Sequence, residues 1–167
     1  MNERKHVALV AHDNRKTDLI EWATWNHRTL LDHDLICTGT TGDRIERALA
    51  DVVRDEGLTA QPVNMRKLKS GPLGGDQQLG ARISEGGVDA LVFFWDPMQP
   101  HPHDVDVKAL LRIAVLYNVP TACNRSSADF LISSPLMNQH YQPMFESDGE
   151  RSDQNGGGEL VGETSEP

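Results

Sequence analysis

The run Ala90-Leu91-Val92-Phe93-Phe94-Trp95 places six apolar residues side by side. A strand with one solvated face alternates apolar and polar side chains, whereas a strand covered on both faces reads as a continuous apolar run. The run therefore predicts a central strand of a parallel sheet. Because parallel neighbours need long crossover connections, usually helices, the chain on either side should alternate strands with helices.

The flanking sequence has this alternation. Short apolar runs predict four more strands, over residues 6–11, 34–37, 62–66 and 120–122. Amphipathic stretches predict helices over residues 17–31, 42–53, 76–84, 105–117 and 127–133, and residues 55–61 should form a polar surface connection. The pattern predicts a single-domain α/β fold, a three-layer sandwich around a five-stranded, mainly parallel sheet.

The C-terminal segment differs in composition from the rest of the 167-residue chain. The stretch from Glu146 to Pro167 has seven acids and one base, Arg151, and so carries −6 of the formal net charge of −9. It is also Gly-rich and has few apolar residues to offset the entropy of ordering. We therefore expect a compact domain over residues 1–142 and a disordered acidic tail over residues 143–167.

Charge, hydropathy and cysteine content exclude several classes of function. The formal net charge of −9 argues against nucleic-acid binding, which requires clustered Lys and Arg. No apolar run is long enough to cross a bilayer and no signal-peptide core precedes the first strand, so we expect a cytoplasmic protein without membrane association. Cys37 and Cys123 are far apart and lack metal-ligand spacing, which predicts reduced thiols and no metal site.

Polar residues follow the predicted strands at their carboxyl ends. They are His12 and Asp13, then residues 38–42, then residues 70–76, then residues 96–106. In open parallel sheets these ends share one edge, and ligands bind there. The sequence therefore predicts a single site built from all four segments.

One of these segments, Thr38-Gly39-Thr40-Thr41-Gly42, offers hydroxyls and successive backbone N–H groups that suit one small phosphate. Ordinary turn and helix-cap chemistry would explain the same residues. The spacing is neither that of a Walker loop nor that of a dinucleotide fingerprint. Lys16 would add a cation to such a cradle, or would be a solvated charge.

A second segment, residues 70–76, places Asp76 behind two glycines and close to Ser70 and Gly71. An acid in the first turn of a helix can simply complement the helix dipole, which stabilises by about 0.3–1 kcal/mol. The Gly-Gly pair favours a further role, because its missing side chains would let a substrate approach the carboxylate. Asp76 is therefore a candidate base.

The last segment, residues 96–106, contains two histidines. His101, between two prolines, is interpreted as a surface residue, whereas His103 precedes the start of a helix, where the dipole keeps an imidazole neutral. A neutral imidazole can donate a hydrogen bond to a carbonyl oxygen. Asp96 and Asp106 are further candidates, although a turn and the helix dipole would explain them equally well.

A phosphate cradle, a base and a neutral imidazole together describe a site that removes a proton α to the carbonyl of a small phosphorylated compound. These residues and the runs around them closely resemble the methylglyoxal synthase family. The matching runs span about residues 5–138 and are residues 6–13, 38–42, 70–78, 93–97, 102–104, 106–112 and 128–130.

The resemblance implies a lyase that converts dihydroxyacetone phosphate to methylglyoxal and inorganic phosphate without metal or organic cofactor. Asp76 matches the catalytic base, and His103 matches the residue that polarises the carbonyl. Asp13 and Asp106 match catalytic acids, and the substrate-binding positions match His12, Lys16, Thr38, Gly39, Thr40, Thr41, Ser70, Gly71 and Asp96. The resemblance also implies a homohexamer inhibited by phosphate, with Arg112 bridging subunits.

Two departures from the family are visible. Residues 53–59 lengthen the segment before Ser70, which should be harmless. The family usually ends in a helix whose basic residue reaches a neighbouring phosphate site, whereas this chain becomes acidic and Gly-rich, with Arg151 as the remaining basic candidate.

Two rival functions have different signatures. A non-catalytic phosphate-binding regulatory module of the same fold needs a cradle but neither Asp76 nor His103. A triose phosphate isomerase would need an eightfold βα repeat that does not fit this length.

Overall fold

A computed structural model describes residues 1–57, 63–99 and 104–143. Its strands are β1 (His6–Ala11), β2 (Asp34–Thr38), β3 (Met65–Leu68), β4 (Ala90–Phe94) and β5 (Thr121–Ala122). Its helices are α1 (Lys16–Trp25), α2 (His27–Leu31), α3 (Gly39–Asp55), α4 (Gly75–Ser84), α5 (Asp104–Leu116) and α6 (Arg125–Ser133). Three single 3₁₀ turns lie at Asp13–Arg15, Gly71–Leu73 and Pro135–Asn138.

The five strands form one parallel sheet in the order β3-β2-β1-β4-β5. β1 is central, and Val7 pairs with Leu35 of β2 on one side and with Ala90 of β4 on the other. The strand order reverses direction at β1, because β2 and β3 lie to one side and β4 and β5 to the other. Such a switch point opens a crevice at the carboxyl ends of the central strands.

Two apolar layers cover the sheet, as β4 shows. Val92 and Phe94 belong to the core under α1, α3 and α6, whereas Leu91 and Phe93 belong to the core under α4 and α5. All four side chains are at most 3% exposed. The prediction of a strand buried on both faces, and of a three-layer α/β sandwich, is confirmed.

Three boundaries differ from the sequence prediction. The helix over residues 17–31 is interrupted at Asn26, whose backbone (φ −96°, ψ 18°) departs from the helical conformation and whose side-chain amide donates to the Trp22 carbonyl (2.9 Å). The third strand is Met65–Leu68 rather than residues 62–66. Residues 38–42 are not a loop, because α3 begins at Gly39, whose φ of 44° allows a direct turn from strand to helix. The other observed ends lie within one or two residues of the prediction.

Some expectations fall outside the described residues. These include most of the connection over residues 55–61 and the acidic tail from residue 144 onward. In the described ranges, no helix has the length and apolarity needed to span a membrane, and no group of three metal-ligating side chains is gathered in one place. Cys37 and Cys123 are free thiols, and burial raises the pKa of Cys37 to about 12.

Buried His33 makes the stability of the fold depend on pH. Its Nδ1 accepts a hydrogen bond from the Lys5 N–H (3.3 Å). Desolvation lowers its pKa, Lys5 and Arg4 add to this effect, and Asp32 opposes it. The native state therefore binds fewer protons at His33 than the unfolded chain does.

We expect the free energy of unfolding to decrease as the pH falls from about 6.5 toward the lowered pKa of His33. His33→Asn keeps an acceptor near the position of Nδ1 and removes the titration. Denaturant unfolding across this pH range should give a flatter profile for the variant than for the wild type. Parallel profiles would assign the pH dependence to other groups.

Candidate active site

A cleft of about 290 Å³ opens at the carboxyl ends of β1 and β2, beside β4. Three helices, α1, α3 and α4, begin beside this cleft. Helix N-termini present unsatisfied N–H groups and a positive dipole end, which together attract anions. The cleft is lined by Val10, Ala11, His12, Asp13, Lys16, Thr38, Gly39, Thr40, Thr41, Ser70, Gly71, Pro72, Asp76, Phe93 and Val107.

His12 stands at the end of β1 and is held from two sides. Its ring packs edge-on against Phe93 with ring centroids 5.1 Å apart, and its Nδ1 accepts the Asp96 backbone N–H at 3.1 Å. A nitrogen that accepts an N–H carries no proton, so the neutral ring has its proton on Nε2. His12 therefore lines the cleft as a neutral imidazole that carries its proton on Nε2.

Asp96 supports this arrangement from behind. Its carboxylate accepts hydrogen bonds from the Asn14 side chain (3.3 Å) and from the Met98 N–H (3.1 Å). Asp96 is buried but does not line the cleft itself. It therefore fixes the backbone that orients His12.

Lys16 supplies a cation to the cleft. Its Nζ lies 2.6 Å from Asp13 Oδ1 and donates to Thr40 Oγ1 at 3.0 Å. The Lys16 side chain is 19% exposed and the Asp13 side chain 87% exposed. The ammonium is thus held between the ends of β1 and β2, where an incoming anion would meet it.

The start of α3 completes the anion-binding side. Thr38 and Thr41 are buried, whereas Thr40 is exposed. The Gly39 N–H donates to the Lys69 carbonyl at 3.2 Å, which ties this helix start to the segment before Ser70. Three hydroxyls and a helix start therefore face the same cleft as Lys16.

Asp76 lies in the first turn of α4, on the opposite wall, and is 6% exposed. The turn before it is closed by the Ser70 carbonyl, which accepts the N–H groups of Leu73 (3.0 Å) and Gly75 (2.9 Å). A Cβ on Gly75 would lie 2.1 Å from the Lys69 carbonyl oxygen. Only glycine fits there, and this close backbone approach places Asp76 at the cleft.

Most of the sequence-predicted residues lie together. Ten of them line the cleft, namely His12, Asp13, Lys16, Thr38, Gly39, Thr40, Thr41, Ser70, Gly71 and Asp76. Asp96 contacts the site through His12, and Asp106 is half-buried on α5 next to the lining residue Val107. His103, His101 and Arg151 lie outside the described residues.

The apolar wall was not predicted. It consists of Val10, Ala11, Pro72, Phe93 and Val107. The strand ends Val10 and Phe93 could have been inferred from register, because they pair directly at the carboxyl edge. Nothing in the sequence indicates that Val107 lines the cleft, because its position depends on how α5 packs.

The arrangement combines an anion cradle with a buried carboxylate and a neutral imidazole donor around an apolar wall. A phosphate held by Lys16 and the α3 start would leave the rest of a small substrate between Asp76 and His12. A carboxylate can take a proton there, and an N–H donor can stabilise the resulting oxyanion.

Comparisons with known proteins identify the family of this chain. Residues 18–123 match the family model of the MGS-like domain. A methylglyoxal synthase of Maridesulfovibrio salexigens is 59% identical over 145 residues, which are 85% of this chain and 91% of that protein. One of Saccharophagus degradans is 52% identical and covers 83% of this chain and 82% of its own length. The crystal structure of methylglyoxal synthase from Elizabethkingia anophelis superposes with a TM-score of 0.76 at 45% identity, covering 91% of this chain and 93% of that chain.

Proposed function

The chain belongs to the methylglyoxal synthase family, and on that basis we propose that its cleft converts dihydroxyacetone phosphate to methylglyoxal and inorganic phosphate. The observation that carries the proposal is the position of Asp76, a buried carboxylate facing an anion cradle across one cleft. The proposal requires neither a metal nor an organic cofactor.

Substrate binding is assigned to the cradle. The phosphate accepts hydrogen bonds from Lys16 Nζ, from the Thr40 and Thr41 hydroxyls and from backbone N–H groups near Gly39 and Ser70. Lys16 Nζ and Thr40 Oγ1 are already 3.0 Å apart, so these side chains need little reorganisation to bind the phosphate.

Proton abstraction is assigned to Asp76. Its carboxylate takes a proton from the hydroxymethyl carbon, and negative charge develops on the substrate carbonyl oxygen. A neutral imidazole N–H stabilises that charge without giving up its proton. His12 Nε2 is one donor for this role, and the family resemblance assigns the same role to His103.

Phosphate elimination follows. The hydroxyl of the enediolate loses its proton, its electron pair forms an aldehyde carbonyl, the double bond shifts, and the C–O bond to phosphate breaks. The resulting enolate takes up a proton at its terminal carbon and becomes methylglyoxal. Elimination requires the breaking C–O bond to lie out of the enediolate plane, and we assign to the cradle the role of holding the phosphate in that position.

The remaining acids have supporting roles in this proposal. Asp96 orients His12, and Asp13 positions the Lys16 ammonium at 2.6 Å. Asp106, on α5 beside the cleft, is assigned to proton transfer with His103.

Incubation of the purified protein with dihydroxyacetone phosphate tests the function. Equal, enzyme-dependent amounts of methylglyoxal and inorganic phosphate are expected, with no glyceraldehyde phosphate. Binding of phosphate without turnover would favour the regulatory module, and accumulation of glyceraldehyde phosphate would favour an isomerase.

Lys16→Met removes the cradle's cation. A hydrogen bond to a charged group contributes about 1.5–3 kcal/mol, so KM for dihydroxyacetone phosphate should rise roughly 10- to 100-fold. Inhibition by inorganic phosphate should weaken by a similar factor. Steady-state kinetics with Arg44→Met, an exposed position on α3, gives the control. An unchanged KM for Lys16→Met would show that Lys16 does not bind the substrate phosphate.

Assembly and location are further parts of the proposal. Exposed apolar side chains on α5 and directly after it suit burial between copies of the chain, namely Val105, Val115, Leu116 and Tyr117. We therefore propose a homohexamer, bridged in part by Arg112 and inhibited by phosphate, that acts in the cytoplasm. A mass of six chains by light scattering is expected, and a stable monomer would contradict it.

A further inference from the structure

A cationic groove lies between strand β3, at the edge of the sheet, and helix α4. Its walls include Arg66, Lys67, Lys69 and Arg82, and Glu85 is the one carboxylate among its lining residues. The groove is separate from the catalytic cleft. Four cations thus surround one groove in a chain whose formal net charge is −9.

Three of these cations lack an acidic partner in the part of the chain that the structure describes. Lys67 Nζ contacts Asp43 Oδ1 at 2.8 Å and Glu46 Oε2 at 2.7 Å. No ion pair among residues 1–57, 63–99 and 104–143 includes Arg66, Lys69 or Arg82. Their charges repel one another, and an anionic occupant would relieve this repulsion.

We propose that this groove binds the acidic residues 144–167 of the same chain. The stretch from Glu146 to Pro167 carries −6 of the net charge, which makes it the complement of the groove. The occupant is thus an acidic peptide segment, bound by contacts between carboxylates and the free Lys and Arg side chains. Surface contacts of this type are weak singly and sensitive to salt.

The described chain ends close enough for this contact. The Tyr141 N–H donates to the Met1 carbonyl at 3.1 Å, and Lys5 Nζ donates to the Gln139 carbonyl. Lys5 directly precedes β1, and β2 alone separates β1 from β3, so the groove's edge strand is about 10 Å away across the sheet. Residues 144–167 can span up to roughly 80 Å when extended.

The bound segment would lie next to the catalytic turn. The Lys69 N–H donates to Gln78 Oε1 at 2.9 Å, and the Lys69 carbonyl accepts the Gly39 N–H. Lys69 therefore joins the groove to the backbone that positions both the cradle and Asp76.

Carbodiimide cross-linking of the full chain, mapped by mass spectrometry, tests the proposal, because this reagent joins a lysine amine to a nearby carboxylate. We expect links from Lys69 to acids within residues 144–167. The yield should fall several-fold between about 0.1 M and about 1 M salt, where the Debye length falls from about 10 Å to about 3 Å.

A pair of matched variants separates the groove from general charge effects. Arg66→Gln/Arg82→Gln should lower the yield several-fold, whereas Arg44→Gln/Arg47→Gln, at exposed positions on α3, should leave it unchanged. An equal loss in both double variants would overturn the proposal. So would a Lys69 yield no higher than that of Lys108, an exposed lysine on α5.

An equal mixture of ¹⁵N-labelled and unlabelled protein shows whether the bound residues 144–167 come from the same chain or from a second copy. Links within one isotope support the proposal, and links mainly between isotopes would overturn it by assigning the groove to a second copy. The salt series and the isotope mixture use the wild-type chain, so they decide the question even where a variant fails to fold.

Discussion

Asp76→Asn should lower kcat for methylglyoxal formation by roughly 10²- to 10⁴-fold, because positioned general bases contribute about that much. The amide has nearly the shape of the carboxylate but cannot take the proton. Phosphate binding should be retained or become tighter, since a negative charge is removed from a buried wall facing the cradle. Steady-state kinetics and calorimetric titration with phosphate measure the two effects separately.

Asp43→Asn is the matched control. Asp43 is paired with Lys67 on the surface of α3, away from the cleft lining, so kcat should be unchanged. An Asp76→Asn enzyme with wild-type turnover would show that another group is the base. Loss of both turnover and phosphate binding would indicate that Asp76 holds the site's structure instead.

Gly75→Ala should remove activity by a different route. Its Cβ would meet the Lys69 carbonyl oxygen at 2.1 Å, a backbone atom that can move only with the turn itself. Overpacking of this kind costs about 1–3 kcal/mol of the free energy of unfolding. Because the same turn places Asp76, kcat should fall even in the fraction of protein that remains folded.

Gly80→Ala, on the same helix, gives the comparison. The added Cβ lies 3.5 Å from Ile113 Cδ1, an ordinary contact, and alanine in a helix interior is favoured over glycine by about 0.5–1 kcal/mol. Thermal unfolding and kinetics should therefore show unchanged or higher stability with normal activity. If Gly75→Ala behaved like Gly80→Ala, the close approach at Lys69 would not be what positions Asp76.

The fold was largely readable from the sequence because β4 is buried on both faces and has no polar residue. The strand β3 was placed wrongly because Met65-Arg66-Lys67-Leu68 lies at the sheet's edge, where solvent permits charged side chains. The break at Asn26 was also missed. The break is confined to the backbone angles of this one residue, and the apolar periodicity continues past it.

The site was predictable to the extent that parallel topology determines it. Residues after β1 and β2 had to converge at one edge, and a Gly-Gly pair before Asp76 indicated a close backbone approach. The tautomer of His12 was not predictable, since it depends on the backbone N–H of Asp96, far away in sequence. The position of Val107 in the cleft wall was likewise not predictable, because it depends on the packing of α5.

In the proposed reaction, this cleft removes a proton from the hydroxymethyl carbon and then expels phosphate. Dihydroxyacetone phosphate carrying two deuterium atoms on that carbon tests it most directly, with products identified by mass spectrometry. We expect methylglyoxal that keeps one deuterium, on its aldehyde carbon, together with an equal amount of inorganic phosphate. Phosphate released alongside dihydroxyacetone that keeps both deuterium atoms would contradict it, because that outcome is hydrolysis without proton abstraction.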